Sequence, residues 1–501
     1  MNWKVIWRSL AHHEMRKRLL AVLGILLTFR VLAHIPVPLG EPETMQQVLE
    51  NLFAADDAPQ LLSVINVLSG GALANFSIMI AGLGPYINAS IIMQLLRRAI
   101  PKFETMQKEG EYGQKKLNQY TRMLTLPLAI LQAIGAIYLI RETAMSIGGM
   151  GDITADANIW NWVLMVAALT GGSMLLMWMG EQITERSVGN GISLLITTAI
   201  ISELPGFISQ LWNALFDGSR WAVFGAELPL NPEALGLVGI LLVGVLVVTW
   251  LVVKINEAAR RITINYAKRV QGNRTYGGVT TVLPVKLIAA GVIPIIFAVA
   301  FLSVPSFLGQ LFTASASERL QVWGERLSAW FEPPTAATFQ NADWQVWIYP
   351  VTYFLFVFLF TYFYTSITFN SKDIAENLQK QGGFIEGVRS GAQTEKHLSR
   401  TLSHVTLFGA ASLGGLALLP IVGQAFLATD IVIGGTSILI LVAVSLEALR
   451  AIESRALMVT YDQYSEPNFF ERSAAETEEE TPEPPKKRRF GILPRKSDKN
   501  R

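Results

Sequence analysis

The sequence predicts an all-α polytopic membrane protein: ten transmembrane helices in two inverted five-helix halves, with a short re-entrant helix in the first half. Three observations carry that reading. The chain of 501 residues is 51% hydrophobic and only 16% charged, against about 25% charged in ordinary soluble domains, and its mean hydropathy is +0.37. The apolar residues gather in blocks long enough to cross a bilayer core of about 30 Å, which takes roughly 20 helical residues. The loops between blocks alternate between basic and nearly free of Lys and Arg, the asymmetry that orients membrane proteins. Cysteine is absent, which excludes disulfides, thiol nucleophiles and thiolate metal sites.

Residues 1–18 form a cytoplasmic segment. Trp3, Ile6, Trp7 and Leu10 share one helical face, which suits a helix lying on the membrane surface; a plain cytoplasmic start is the alternative. Span one, 19–37, resembles a signal peptide but reads as uncleaved, because Arg30 and His34-Ile35-Pro36 follow without a small-residue cleavage site. From Leu61 to Leu96 runs one predominantly apolar stretch without a charged residue. As one helix that stretch would reach about 54 Å, too long for one span and too short for two. It divides into a half-length piece, 61–75, of a size that is re-entrant more often than spanning, and span two, 76–97. Leu61, Val64, Val67 and Leu68 give the short piece its apolar side chains. Gly70 and Gly71 supply soft backbone within it or at its end, and Asn75 or Ser77 is the candidate cap of the following helix. Spans three to ten cover 121–140, 159–179, 192–214, 234–254, 287–312, 347–369, 401–421 and 431–451.

Lys4, Arg8, Arg16, Lys17 and Arg18 precede span one, and basic clusters recur between spans two and three, six and seven, and eight and nine. The intervening loops hold only Arg141, Arg220, Arg319 and Arg326; the short loop 180–191, with Arg186, is the weak vote. Both termini are therefore expected in the cytoplasm. The halves are 19–220 and 221–465, the second with long cytoplasmic loops at 254–286 and 370–400. An odd number of spans per half inverts one copy relative to the other. Two echoes support duplication: Gly82-Leu83-Gly84-Pro85 against Gly291-Val292-Ile293-Pro294, and Gly189-Asn190-Gly191-Ile192 against Gly434-Gly435-Thr436-Ser437. Pro85 and Pro294 are expected to kink the second helix of each half. The tail 466–501, acidic and then basic, has the composition of a disordered segment.

Charged groups at the membrane midplane, the usual mark of a transport or pump site, are few. Arg30 is expected to snorkel outward, Glu203 to reach the outer mouth, and Glu447 to sit at the inner end of span ten. There is no zinc-protease HExxH and no phosphate-binding glycine loop, so the chain reads as a passive protein without cofactor or metal, any ATP hydrolysis coming from a partner. In loop 254–286, Arg260–Tyr266 alternates as a strand does and Gln271-Gly272-Asn273 is a turn signal, giving a hairpin that projects into the cytoplasm. Loop 370–400 offers Arg389 on a flexible Gly387–Gly391 tip. Such projecting basic loops suit an acidic or RNA-rich partner.

Several motifs together name a family: His34-Ile35-Pro36-Val37-Pro38, Ser69-Gly70-Gly71-Ala72-Leu73, Pro85-Tyr86-Ile87-Asn88-Ala89-Ser90, Met177–Arg186, Gly189–Ser193, Asn265-Tyr266-Ala267-Lys268-Arg269 and Ala290–Pro294. From about Arg16 to Tyr464 the chain resembles the SecY family, the channel subunits of bacterial protein-export translocons. The resemblance implies a protein-conducting channel of the bacterial inner membrane that exports unfolded signal-bearing preproteins and releases membrane helices laterally into lipid. It implies a pore ring of Leu83, Ile87, Ile192, Ile196, Ile296 and Ile440, and makes 61–75 a plug hinged near Gly70–Ser77. It implies a lateral gate between spans two and seven, with Pro85, Asn88, Ile91, Ile92, Ile288 and Pro294. Many relatives carry Asn where this chain has Ile288, so Asn88 and Gln94 are the candidates for gate polarity. Lys268, Arg269, Arg274 and Arg389 would dock the motor ATPase SecA or the ribosome. SecE and SecG subunits are implied as partners, beside signal peptides, preproteins and membrane lipids, without sequence-specific nucleic-acid binding. Two other classes stay open: a secondary transporter, disfavoured by the missing midplane charges, and an insertase or scaffold without a through-pore.

Overall fold

The computed structural model describes residues 13–37, 66, 69–73, 75–148, 158–186, 189–216, 221–223, 226–228, 231–266, 269–271, 274–276, 278, 280–313, 317–334, 338–339, 344–427 and 435–465. The apolar face proposed for residues 3–10, the plug residues Leu61, Val64, Val67 and Leu68, the docking residue Lys268 and the tail 466–501 lie outside the described residues. Lys17–Ala451 pack as one compact unit, and Met1–Arg16 with Ile452–Arg501 form a second. In the second, the described residues His13–Arg16 and Ile452–Ser465 are helical.

The membrane-crossing helices are α1 (His13–Leu32), α2 (Gly84–Ala99), α4 (Glu111–Gly148), α5 (Ile159–Glu185), α6 (Gly191–Leu215), α7 (Pro232–Glu257), α8 (Ile293–Thr313), α10 (Ile348–Thr368), α12 (Ala392–Leu427) and α13 (Gly435–Ser465). Short helices α3 (Pro101–Lys108), α9 (Glu318–Phe331) and α11 (Ser371–Lys380) lie between them. Seven of the long helices satisfy length and apolarity without help; α1, α2 and α13 complete the ten. The α2 helix has only 16 residues, about 24 Å at the helical rise. The rest of its block is irregular. Such backbone is tolerated at membrane depth only where protein buries and satisfies it, and here it is: Ser77 N–H donates to Ala72 O at 2.8 Å, Ile78 N–H to Ile35 O at 3.1 Å and Gly82 N–H to Met79 O at 2.9 Å.

Pro85 and Pro294 do not kink continuous helices, contrary to the sequence expectation. Each stands second in its helix, α2 or α8, where a missing N–H costs nothing. Gly82 and Gly291, three residues earlier, have φ of +56° and +62°, a conformation that stops a preceding helix. Spans two and seven are therefore discontinuous, and the interruption falls at matching places in the two halves.

The hairpin expected in loop 254–286 is present and larger than expected. Strands β3 (Ala259–Tyr266) and β6 (Thr280–Lys286) pair antiparallel, and β4 (Arg269–Gln271) with β5 (Arg274–Tyr276) forms a second ladder between them. The β1 (Trp221–Val223) and β2 (Ala226–Leu228) ribbon precedes α7. From the other long loop, β7 (Gly383–Ile385) joins β3, so the sheet order is β6-β3-β7. The inward members of the alternation, Ile262 and Ile264, pack with Val285, Ile385, Leu378 and Leu398. The two long loops thus share one small core.

Candidate functional site

The segment that follows the re-entrant piece is fixed by its neighbours. Asn66 and Ser69 are helical, and Gly70 and Gly71 then turn left-handed with φ of +71° and +78°. They end the short helix rather than soften its interior. Space enforces the same choice: a Cβ on Gly70 would lie 3.0 Å from the Ala199 backbone, and one on Gly71 would lie 2.7 Å from Oε1 of Glu203. Arg30 does not snorkel outward. Its Nη1 donates to Gly70 O at 2.5 Å, and it lies near enough to Glu203 for the two charges to interact. A cation on α1 therefore holds the glycine turn, and the Glu203 side chain of α6 occupies the space beside Gly71.

Asn75 and Ser77 do not cap α2, which opens at Leu83 without a side-chain cap. Asn75 Nδ2 donates back to Gly71 O at 2.9 Å, and the Ser77 hydroxyl donates to Leu32 O at 2.9 Å while accepting from Met79 N–H. Val37 N–H donates to Phe76 O at 2.9 Å. Phe76 itself has φ +46°, strained for a bulky residue. It is held by an apolar cluster of Leu73, Phe76 and Ile80 with Ile137 and Met165. Strain held in place by surroundings is a property of switch segments. At Gly172 a Cβ would lie 2.0 Å from Ile78 O, so α5 leaves room for this backbone to pass.

Of the proposed ring residues, Leu83, Ile87, Ile196, Ile296 and Ile440 are buried, and Ile192 is partly buried. Their placement repeats between halves. Ile87 and Ile296 each stand five residues after the left-handed glycine and two after the proline; their amides donate to Leu83 O and Val292 O. Ile196 and Ile440 each stand five residues after the glycine that opens α6 or α13.

Between α2, α4 and α8 lies a cavity of about 450 Å³. Asn88, Ile91 and Ile92 of α2 face Phe301, Val304 and Leu308 of α8 across it, and Ser69 and Gly82 border it. It therefore touches the gate helices and the glycine turn at once. Its wall is almost wholly apolar, with Asn88, Gln132, Ser69 and Ser303 the polar exceptions. Ile288, in the turn before α8, and Pro294, in its first turn, are buried and do not line it. Gln94 lies outside the cavity lining, and its Nε2 donates to Ser90 of its own helix at 3.2 Å. Two cross-half contacts close the seam. The Phe307 ring rests on Gly135 of α4, where a Cβ would lie 1.6 Å from Cζ. At the end nearer the two long loops, Arg98 Nη2 of α2 donates to Ser366 O of α10 at 2.9 Å. Sequence reasoning missed Gly135, Phe307 and Arg98; nothing local distinguishes them from other helix residues.

Arg389 is exposed on a built turn rather than a flexible tip. Gly387 and Gly391 flank it with φ of +76° and +95°, and the Thr394 hydroxyl donates to Arg389 O at 3.0 Å. Arg269 opens β4 and Arg274 opens β5; their ladder is inserted between β3 and β6, and β7, from the loop that carries Arg389, pairs with β3. Beneath the sheet, Arg450 Nη1 donates to Asn256 Oδ1 at 3.3 Å. Burial and the nearby Arg450 charge hold the Lys286 ammonium below its ordinary range, with Glu447 opposing them. Among the described residues no cluster of His, Cys, Asp or Glu could hold a metal.

Comparison with known proteins gives a coherent result. The SecY family model matches residues 77–449. The "Protein translocase subunit SecY" of Streptomyces coelicolor is 37% identical over 466 residues, 91% of this chain and 98% of that protein. That of Mycobacterium tuberculosis is 37% identical over 461 residues, 91% and 98% of the two chains. Among solved structures, "The structure of a protein conducting channel" superposes with a TM-score of 0.56 at 17% identity, covering 86% of this chain and 91% of that one. A channel described by its plug domain, which "maintains a membrane seal", gives 0.55 at the same identity and coverage.

Proposed function

The chain belongs to the SecY family, and on that premise we propose a passive protein-conducting channel that moves unfolded, signal-bearing preproteins across the bacterial inner membrane and releases apolar helices sideways into lipid. The observation that carries the mechanism is the apolar cavity shared by α2 and α8, because it borders the glycine turn through Ser69 and Gly82. An apolar signal helix entering between α2 and α8 would separate Phe307 from Gly135 and withdraw support from the turn. Opening of the seam and unseating of the plug are thereby coupled by shared walls. The ring of Leu83, Ile87, Ile192, Ile196, Ile296 and Ile440 seals by excluding water and ions and offers a passing chain no fixed polar partner, which suits substrates of many sequences.

The driving force comes from outside. SecA or a ribosome docks on the sheet assembly that carries Arg269, Arg274, Arg389 and, beside them, Lys268. SecE and SecG complete the complex, and both termini lie in the cytoplasm. The test is reconstitution with SecE and SecG in sealed vesicles, with SecA, ATP and a signal-bearing preprotein. The expected result is ATP-dependent protection of the preprotein from external protease. No protection, with SecA shown to be active on a known channel in parallel, would overturn the proposal.

A further inference from the structure

Helix α9 lies outside the ten spans, and the channel mechanism makes no use of it. It folds back on the end of α8 through two glycines: a Cβ at Gly309 would lie 2.8 Å from Ser328 N, and one at Gly324 would lie 2.5 Å from Thr313 N. Along its flank, Arg319, Trp323, Arg326 and Trp330 succeed one another at spacings of four, three and four, which places them on one stripe. Both arginines are exposed, and Trp323 is 54% exposed. The Arg326 guanidinium lies 5.9 Å from the Trp323 ring centre. Among the described residues neither arginine has a carboxylate partner. Glu318 and Glu325, spaced by seven, form a different stripe, so the helix segregates its charges although they sum to zero.

Its level in the membrane follows from its neighbour. α9 packs beside Trp344–Trp347, the turn that opens the membrane-crossing α10, and Trp344 and Trp347 are largely exposed. Exposed tryptophans at the mouth of a span mark the water–lipid boundary. Arg319 and Arg326 therefore sit at headgroup depth, at the edge of an apolar flank. They are also two of the few basic residues in the loops at that end of the molecule, where orientation does not require them. A guanidinium fork matches phosphate oxygens in pairs. We propose that Arg319, Trp323 and Arg326 on the exposed stripe of α9 bind the headgroups of anionic phospholipids in the leaflet opposite the cytoplasmic sheet, and so anchor the outer end of gate helix α8.

The absence of cysteine in the chain makes single-site labelling direct. Leu320→Cys and Glu325→Cys, each carrying a nitroxide, are compared in nanodiscs of phosphatidylglycerol and of phosphatidylcholine. Relative accessibility to oxygen and to an aqueous nickel chelate reports depth. In phosphatidylglycerol the label at 320 should favour oxygen and the label at 325 the chelate. Phosphatidylcholine, or Arg319→Gln with Arg326→Gln, should shift the label at 320 toward the chelate. The expected drop in the bound-to-released ratio is about fivefold per arginine, the factor implied by ~1 kcal/mol per basic residue at an anionic surface. Equal chelate access at 320 and 325, or a depth at 320 indifferent to both lipid charge and the arginines, would overturn the proposal.

Discussion

Arg30→Gln should loosen the resting seal. Arg30 Nη1 donates to Gly70 O at 2.5 Å, and this is the charged link between α1 and the turn that ends the short helix. Hydrogen bonds to charged groups contribute about 1.5–3 kcal/mol. At ~1.4 kcal/mol per decade, losing this one raises the unseated fraction of the plug roughly 10- to 150-fold. The assay is ion conductance of the reconstituted channel in a planar bilayer without substrate, which scales with the unseated fraction while that fraction is small. Arg30→Lys should leak at an intermediate level, because an ammonium keeps the charge but shortens the reach. In a double-mutant cycle with Glu203→Gln, the two changes should couple by more than ~0.5 kcal/mol, as residues sharing one contact do. A wild-type resting conductance in Arg30→Gln, in a preparation where ring substitutions leak, would refute the latch.

Three further outcomes are expected. Gly135→Ala places a methyl 1.6 Å from Phe307 Cζ and should cost the closed gate about 1–3 kcal/mol as overpacking does; it should admit preproteins with weakened signal sequences, and unchanged stringency would count against the Phe307 seal. Replacing Ile87, Ile196 and Ile440 together by Gly should raise resting ion leakage, and an unaltered conductance would remove them from the ring. Arg389→Glu should abolish SecA-driven protection of a preprotein while leaving resting conductance at the wild-type level, and normal export by the variant would contradict its docking role.

The spans were legible because bilayer thickness imposes a length and a hydropathy that local sequence records. The strand in loop 254–286 was legible for a similar reason: Ile262 and Ile264 alternate with Thr263 and Asn265, and one face is buried. The union of both long loops through β7 was not legible, because Gly383–Ile385 is three residues long and too short to show a period. Arg30 is instructive. A cation within an apolar block was visible, and snorkelling was the default for it. Its actual partner is a carbonyl 40 positions away, exposed only because two left-handed glycines leave Gly70 O outside any helix. The same limit applies to Gly135, whose meaning depends on a ring brought up from the other half.

The prolines show how a sequence signal can be right about place and wrong about effect. Gly-x-x-Pro in spans two and seven suggested bent helices, but the glycine ends one segment and the proline begins the next. The distinction matters for how a gate moves. A kinked helix swings about a point that keeps its hydrogen-bond ladder, whereas a broken one lets the two pieces move separately. In span two the break separates the Arg30-held turn from gate helix α2, so the plug can leave without dragging Ile87 out of position. Ile296 enjoys the same independence in α8. Ile196 and Ile440 stand five residues into helices that also open at glycine. Four buried residues proposed for one ring are thus each placed by a glycine on their own segment and by a short count along the helix. A seal set by such local devices holds its level while the halves separate, which a channel that must open sideways and close again requires.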